Sequence, residues 1–479
     1  MQVTLIAAPV DKARFYTAAE YRCWRLLDAL RYQWHFSSFM TPQEYMMLYA
    51  VRQEHYGLLS LASILRDNGH DVRYATPDTV DTVDRSLFAA DLVGISCLTA
   101  TFPNALQIAS DAKSHNSDTC VMLGGHHAHY FSQLLLQEEA CIDIIVEGFA
   151  EARILPIVES LHDKRRLDLL QRIPGIAYRH TRDNSVFVTD SPPLPPLRGL
   201  PPPAFDLVSR PLVGARIYSS YTCPFSCRFC PVRHQSSVAP KDFSQLRSEL
   251  RYLTKHHPIK LVYWGDPVLG NDLTHVAHIA RLMHEFGLHW QFQTRLEFLT
   301  AQLLTLLKDD PTCVGIELGI ETTHGALLHA AGKRIAWRQA QEIMDSVRAL
   351  PMNLLTYWIA GLPGAMRRSL AQDFAAMQAL LTKNILVHCN MLVPYPGTEY
   401  FRHSAAHGIQ IHTYDWRQYY SGGTPVHSLV NPPLSAADLA QALDDGQEML
   451  ANTAAALLDA GIAEQFNDTC NVGYMRGIF

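Results

Sequence analysis

Two series of apolar, strand-sized runs, each alternating with helical patterns, restrict this chain to an α/β architecture. In the first series the runs cover residues 3–8, 71–75, 91–96, 120–123 and 142–146, with helical patterns at 56–65 and 103–113. Apolar strands separated by helices of this length indicate a parallel sheet that is covered on both faces. Ligands of such sheets bind at the carboxyl ends of the strands.

The second series contains six strand-like runs with helical patterns between them, such as 244–254 and 335–350. The runs lie near residues 217–221, 261–264, 290–294, 314–318, 354–359 and 386–392. Six such units predict a barrel, open or closed, whose site lies at the carboxyl ends of the strands.

A proline-rich segment divides the two series. Residues 189–214 hold eight of the 27 prolines, which favours an extended linker over a helix or a central strand. We therefore expect a first domain over residues 1–188, the linker, a second domain over 215–404 and an extension over 405–479. We expect this extension to be small and mostly helical, with one convincing helix that a capping pattern starts at Ser435.

Composition narrows the class of protein. Hydrophobic residues make up 48% of the 479 residues, too many for a disordered chain. A net charge of -6 favours neither a nucleic acid nor an anionic membrane as partner. The apolar runs are too short to span a bilayer, and the N-terminus is typical of a buried strand, not of a signal peptide. With ten mostly isolated cysteines, these features predict a soluble cytoplasmic protein.

An unusually long connection follows the first strand. About 46 residues with ten aromatic side chains separate that strand from the helix at 56–65. Connections in such units usually have about 2–6 residues, so a long one favours a functional element. A helical insertion with its own small core is an equally good interpretation.

Three cysteines follow the first strand of the second series in a Cys-x3-Cys-x2-Cys pattern: Cys223, Cys227 and Cys230. Structural zinc sites use four ligands, commonly in paired Cys-x-x-Cys loops. Three thiolates with no fourth nearby instead suit a [4Fe–4S] cluster with one open iron. Zinc completed by a distant histidine, and three cysteines without a metal, are the alternatives.

This loop resembles that of the radical S-adenosylmethionine (SAM) superfamily, in which it opens a partial (β/α)6 barrel of the TIM type. The resemblance implies that the three cysteines ligate the cluster, that the open iron chelates SAM, and that reductive cleavage gives a 5'-deoxyadenosyl radical. Phe229 matches the aromatic residue that commonly lies beside the adenine.

Further segments resemble the SAM-binding motifs of that family. Residues 264–267 are similar to Gly-Gly-Glu-Pro, with Trp264 and Asp266 as departures, and 315–322 are similar to the Gly-x-Glu region. Glu317, Gly319 and Glu321 share one strand face, where a buried carboxylate needs a partner such as Arg295. The implied SAM-binding residues are Phe229, Gly265, Asp266, Pro267, Arg295, Glu317, Gly319 and Glu321.

The first series resembles the Rossmann-like cobalamin-binding domain of B12-dependent radical SAM enzymes. The implied cobalamin-binding residues are Ser96, Leu98, Thr99, Thr101, Gly124, Gly125, His126, His127, Glu147 and Gly148. No Asp-x-His-x-x-Gly occurs in this domain, which agrees with a radical SAM enzyme whose cobalt lacks a lower histidine ligand. We hypothesise that the aromatic insertion covers the lower corrin face.

The resemblance implies a cobalamin-dependent radical SAM methyltransferase of the class B type. Its cofactors would be a [4Fe–4S] cluster, SAM and cobalamin, and its substrate an unactivated carbon of a small molecule or natural-product intermediate. An external reductant of the flavodoxin or ferredoxin type would supply electrons. The alternatives are a B12-dependent cyclase or ring-rearranging oxidoreductase without methyl transfer, and a corrinoid or iron–sulfur binding protein without turnover.

Overall fold

A seven-stranded sheet forms the first half of the molecule. The computed structural model describes residues 1–10, 17–50, 54–161, 169–180, 183–190, 198–221, 223–232, 240–422 and 424–459. The strands are β1 (Gln2–Ala7), β2 (Asp71–Ala75), β3 (Leu92–Ser96), β4 (Cys120–Gly124), β5 (Ile144–Val146), β6 (Ile176–Arg179) and β7 (Val186–Val188). Their order is β2-β1-β3-β4-β5-β6-β7, and all pairs among β1–β5 are parallel.

Helices cover this sheet on both faces, as predicted. They are α3 (Tyr56–Asp67), α4 (Phe102–His115), α5 (His126–Tyr130), α6 (Ser132–Glu138) and α7 (Ile154–Ser160). Two buried apolar clusters, one on each face, hold these layers together. Strands β6 and β7 pair antiparallel, and the sequence did not reveal them because both are short and β7 is half-exposed.

A six-stranded parallel sheet forms the second half, in the order β13-β12-β11-β10-β9-β8. Its strands are β8 (Gly214–Ile217), β9 (Leu261–Trp264), β10 (His289–Thr294), β11 (Cys313–Glu321), β12 (Asn353–Ala360) and β13 (Leu386–Met391). The helices after them are α8 (Phe243–His256), α9 (Leu273–Phe286), α10 (Ala301–Lys308), α11 (Gly325–Ala330), α12 (Trp337–Arg348), α13 (Arg367–Leu381) and α14 (Glu399–Arg402). The predicted partial barrel of six units is confirmed.

The aromatic insertion packs against this barrel. It forms α1 (Ala18–Arg31), a π-helical turn over Tyr32–Phe36, and α2 (Pro42–Ala50). The Trp24 ring of α1 lies 3.5 Å from the ring of His388 on edge strand β13. Tyr45 and its neighbours form an apolar cluster with Val213 and Leu261, beside the opposite edge. The described residues 17–50 thus pack between the barrel edges, and the hypothesis that the insertion covers the lower corrin face stays a prediction.

The C-terminal extension is less helical than predicted. Three short strands, β14 (Ile409–Ile411), β15 (His427–Val430) and β16 (Pro433–Leu434), form an antiparallel sheet. The predicted helix follows as α15 (Ala436–Leu457), and the Ser435 side chain caps its N-terminus. None of the helices in the described ranges has both the length and the apolarity required to cross a membrane.

Two glycine substitutions test how α15 packs on the barrel. A Cβ at Gly446 would lie 2.4 Å from the ring of Phe374, whereas a Cβ at Gly57 in α3 would make only ordinary contacts. We expect Gly446→Ala to lower the free energy of unfolding by about 1–3 kcal/mol because it overpacks the helix contact. Gly57→Ala is the matched control and should not lower it, since alanine favours helix. Equal effects in urea unfolding would contradict this packing.

Candidate functional site

The cysteine loop begins directly after β8 and is fastened to the turn after α11. The Arg228 N–H donates to the Ala331 carbonyl at 3.0 Å, and its guanidinium donates to the Ala330 carbonyl at 2.9 Å. The Cys230 N–H donates to the Cys227 carbonyl at 3.1 Å, which closes a tight turn. The loop is therefore shaped by backbone contacts that do not use the thiols.

The three thiols of the loop lie near one another: Cys227 is buried, Cys223 and Cys230 are half-buried, and Cys227 affects the ionisation of the other two. Burial, with smaller contributions from the nearby Cys227 and Cys223, raises the pKa of Cys230 to about 12. Burial also raises the pKa of Cys223, again with a contribution from Cys227. Thiols placed this way ionise when a soft metal centre replaces their protons. The donor set therefore fits an iron–sulfur cluster.

A site for a single metal ion is a different arrangement. Within the part of the chain that the structure describes, no three His, Cys, Asp or Glu side chains are close enough to hold one ion. In a [4Fe–4S] cluster each cysteine binds a different iron, so its ligands need not converge on one point. The zinc alternative gains no support from this geometry.

Arg295, which follows β10, lies against this loop. Its Nη1 donates to Cys227 Sγ at 3.2 Å, and its guanidinium stacks 3.7 Å from the ring centroid of Phe225. Glu297 forms an ion pair with the same guanidinium at 2.5 Å. The expected pairing of Arg295 with a carboxylate of β11 is not what the structure has.

Glu317 on β11 is paired with a different arginine. Arg31, from the insertion helix α1, forms a buried ion pair with its carboxylate at 3.1 Å. The hydroxyls of Tyr263 and Tyr357 donate to the other carboxylate oxygen at 3.0 and 2.8 Å. This buried carboxylate thus has a charged partner, as predicted, but the partner lies 286 positions away in sequence.

Glu321, at the end of the same strand, pairs with Lys333. It has a left-handed backbone (φ 68°) at an irregularity in the β11–β12 register. The Lys333 ammonium also donates to the Gly319 carbonyl at 2.9 Å. A Cβ at Gly319 would lie 2.7 Å from that ammonium, so glycine is required for the close approach. Nothing in the sequence pattern marked Lys333, which lies beyond α11.

Asp266, after β9, supports the start of the cysteine loop. Its buried carboxylate accepts from the Ser219 N–H at 2.7 Å and from the Ser219 hydroxyl. Burial raises its pKa to about 7, against the opposing hydrogen bonds from Ser219. Because the Ser219 N–H donates to the Asp266 side chain and not to a neighbouring strand, β8 ends at Ile217 and does not continue to Tyr221 as predicted. The Gly265 N–H donates to the Ile217 carbonyl at 2.8 Å, at the end of β8, and Pro267 and the loop residue Phe229 are half-buried.

The carboxyl edge of the first sheet presents an open surface at Leu98, Gly124, Gly125 and Gly148. We call this surface the ledge. Gly125 begins α5 with φ 105°, and a Cβ there would lie 2.0 Å from the Cys97 carbonyl oxygen. At Gly124 a Cβ would meet no atom within 4 Å. Leu98 beside it is 41% exposed and adds apolar surface to this edge. An open, partly apolar ledge over glycine backbone fits a large cofactor such as a corrinoid.

Several residues predicted to bind cobalamin also make hydrogen bonds within the protein. The Thr101 hydroxyl accepts from the Leu98 N–H at 2.9 Å, and the Ser96 hydroxyl bonds His55 Nε2 at 2.8 Å. The Ser132 hydroxyl donates to Glu147 at 2.6 Å. Thr99 is buried, and Gly148 has a left-handed backbone that starts the next turn.

The two predicted histidines of this edge differ in environment. The surface of the His126 side chain is exposed. Desolvation by the protein atoms around it lowers its pKa, and nearby His129 lowers the pKa as well. His127 is buried, its ring centroid lies 4.3 Å from that of Phe102 and 4.9 Å from that of Trp416, and burial lowers its pKa to about 3. His127 therefore packs the C-terminal extension against the first sheet.

The carboxyl edges of the two sheets meet through aromatic and charged side chains. The Phe149 ring, just after the Gly148 turn, stacks on Tyr221 with centroids 4.6 Å apart and planes 13° apart. The Tyr221 hydroxyl also makes a long hydrogen bond (3.4 Å) to Glu151. Tyr221 lies two residues before Cys223, so this contact joins the ledge to the cysteine loop.

A buried ion pair next to this contact also joins the two halves of the molecule. Lys241 and Glu249 pair at 2.5 Å, and both side chains are almost fully buried. The Tyr56 hydroxyl, from α3, donates to Glu249 at 2.9 Å and accepts from Lys241. The Tyr56 ring also packs 5.1 Å from that of Tyr218. Sequence reasoning missed this group because its members come from distant segments without a motif.

Comparisons with known proteins agree with this geometry. The family described as B12 binding domain matches residues 50–155. An uncharacterized methyltransferase of Pyrococcus horikoshii is 25% identical over 76% of this chain and 81% of its own length. The anaerobic magnesium-protoporphyrin IX monomethyl ester cyclase of Rubrivivax gelatinosus is 22% identical over 69% of this chain and 60% of its own length. The hopanoid C-3 methylase of Methylococcus capsulatus is 26% identical over 73% of this chain and 68% of its own length.

Solved structures share the fold. The radical SAM methyltransferase TsrM of Kitasatospora setae, with cobalamin and a [4Fe–4S] cluster bound, superposes with a TM-score of 0.64 at 14% identity over 96% of this chain and 89% of its own. The cobalamin-dependent radical SAM enzyme OxsB, with aqua-cobalamin and SAM bound, superposes with a TM-score of 0.61 at 17% identity. The match covers 79% of this chain and 52% of OxsB. The chain therefore spans about half the length of OxsB.

The chain matches the B12-binding family over residues 50–155, and its two sheets share the fold of solved cobalamin-dependent radical SAM enzymes. The resemblance to the cobalamin-dependent radical SAM enzymes that the motifs suggested is confirmed, as is the two-part α/β architecture. The predicted cofactor set of cluster, SAM and cobalamin agrees with that of these structural relatives.

The Lys241–Glu249 pair gives a stability test of the contact between the sheets. We expect Glu249→Ala to lower the free energy of unfolding by about 3–5 kcal/mol, because Lys241 then stays buried without its counter-charge. Glu285→Ala breaks the exposed Arg247–Glu285 pair of 2.9 Å and should cost at most about 1 kcal/mol. Denaturant unfolding measures both, and a Glu249→Ala effect as small as that of Glu285→Ala would contradict the buried pairing.

Proposed function

We propose that this chain is a cobalamin-dependent radical SAM methyltransferase that methylates an unactivated carbon of a small molecule. The observation that carries the proposal is the Phe149–Tyr221 stack, which joins the ledge of the B12-binding domain to the cysteine loop. Radical methyl transfer needs both groups next to one substrate, and this contact supports that arrangement. Relatives described as a methyltransferase and a methylase support the same reaction class.

In this proposal Cys223, Cys227 and Cys230 hold the cluster. The backbone at Gly265 and Pro267 and the Phe229 ring bind SAM, and the ledge of Leu98, Gly124, Gly125 and Gly148 takes the corrin. When bound, these groups supply one-electron reduction, hydrogen-atom abstraction and methyl transfer, while the protein supplies orientation.

The remaining buried polar groups position these elements. Asp266 holds Ser219 and with it the start of the cysteine loop. Arg31, Tyr263 and Tyr357 saturate the Glu317 carboxylate, which keeps β11 in place without direct participation in SAM binding. We therefore assign Asp266 and Glu317 a positioning role within the predicted SAM site.

The proposal also covers organisation and partners. We place the domain division in residues 189–214, since the first sheet ends at Val188 and the second starts at Gly214.

The substrate would be a small molecule, and a flavodoxin- or ferredoxin-type protein would supply electrons. A cyclisation or ring rearrangement without methyl transfer is the second candidate, because a cyclase is among the relatives.

Filling the ledge at Gly124 tests the cobalamin assignment. We expect Gly124→Val to weaken corrinoid binding by on the order of tenfold, because the new side chain occupies space that the cofactor needs, while iron remains near four atoms per chain. Gly325→Val is the matched control, since a Cβ at Gly325 also meets no atom within 4 Å but lies at the start of α11. Unchanged corrinoid binding in Gly124→Val would contradict the assignment.

The products of SAM distinguish the two reactions. With substrate, reductant and both cofactors, a methyltransferase should form about one S-adenosylhomocysteine for each 5'-deoxyadenosine, because one SAM supplies the methyl group and another the radical. Isotope label in the SAM methyl group should appear in the product. Substrate turnover with 5'-deoxyadenosine alone would instead support the cyclase-type reaction.

A further inference from the structure

Arg295 contacts the cysteine loop in a way that the proposed function does not use. Its Nη1 donates to Cys227 Sγ at 3.2 Å, and its guanidinium lies over the Phe225 ring of the same loop at 3.7 Å. Glu297 holds the opposite edge of the guanidinium through an ion pair. The cation is therefore fixed on three sides, and its side chain is only 11% exposed.

A fixed cation beside a ligand sulfur has a definite electrostatic effect. A thiolate sulfur bound to iron keeps lone pairs that accept hydrogen bonds, and such bonds are among the factors that set the reduction potential of iron–sulfur clusters. Reduction adds one negative charge to the cluster, so a nearby positive donor stabilises the reduced form more than the oxidised form. Screening by water is weak because Cys227 and Arg295 are both largely buried.

We propose that Arg295 is a positioning residue that raises the reduction potential of the cluster through its hydrogen bond to Cys227 Sγ. The inference rests on the part of the proposed function in which the three cysteines hold a [4Fe–4S] cluster. In the step concerned, the oxidised cluster accepts one electron from a low-potential one-electron donor, and no bond forms or breaks. The Arg295 guanidinium keeps its proton throughout.

Glu297 tunes this effect in the opposite direction. Its carboxylate pairs with Arg295 at Nε and Nη2, on the side away from the sulfur, and partly offsets the positive charge. Removing the negative charge of Glu297 therefore leaves a stronger net cation beside Cys227. The two residues thus predict shifts of opposite sign, which a general loss of structure does not produce.

Redox titration of the anaerobically reconstituted full chain tests the proposal, with dithionite as electron donor and the EPR signal of the reduced cluster as readout. At a fixed solution potential, Arg295→Met should lower the ratio of reduced to oxidised cluster by on the order of tenfold, which is about 59 mV for one electron. Glu297→Gln should raise that ratio. Arg338→Met, whose side chain is 91% exposed on α12, is the matched control and should leave it unchanged.

Iron and sulfide content, measured first, separates the possible failures. If the unaltered chain takes up no cluster, the proposed function itself fails. If it takes up a cluster and Arg295→Met binds the same amount without a shift in potential, the role of Arg295 is overturned. If Arg295→Met does not hold the cluster, Glu297→Gln decides: a rise in the ratio supports the proposal, and no change overturns it.

Discussion

The two sheets contact each other at the carboxyl ends of their parallel strands, and this contact determines where the insertion, the cysteine loop and the linker can lie. The strand ends present glycine-rich turns in the first sheet and a cysteine loop in the second, and binding groups collect there because β1–β5 run parallel, as do β8–β13. The Phe149–Tyr221 stack and the Glu151 hydrogen bond bring these two edges into contact. In the proposed function this contact places the ledge next to the cysteine loop.

Buried charges fix this arrangement because each is costly unless it is paired. Arg31 brings the insertion helix into the barrel by pairing with Glu317, and Lys241 with Glu249 supports the interface from below. Lys333 pairs with Glu321 beside the cysteine loop. These pairs join segments far apart in sequence, so the insertion, the barrel and the first sheet depend on one another.

Local patterns predicted most of the fold. Apolar periodicity located β1–β5, the six barrel strands and α15, because these elements bury continuous apolar faces. Strands β6 and β7 and the antiparallel β14–β16 were missed, since they are two to four residues long. In the site, the cysteines were found by spacing, but Arg31, Lys333 and Tyr221 were not. Their partners become neighbours only in the folded chain, as the unexpected pairing of Arg295 with Cys227 also illustrates.

The central claim is that the ledge and the cysteine loop bind two cofactors that face each other. EPR spectroscopy of the anaerobic protein, loaded with cob(II)alamin and a reduced [4Fe–4S] cluster, measures this directly because both centres are paramagnetic. We predict that the cob(II)alamin signal broadens or splits when the cluster is reduced, through magnetic interaction between the two. A spectrum equal to the sum of the two separate signals would contradict the account.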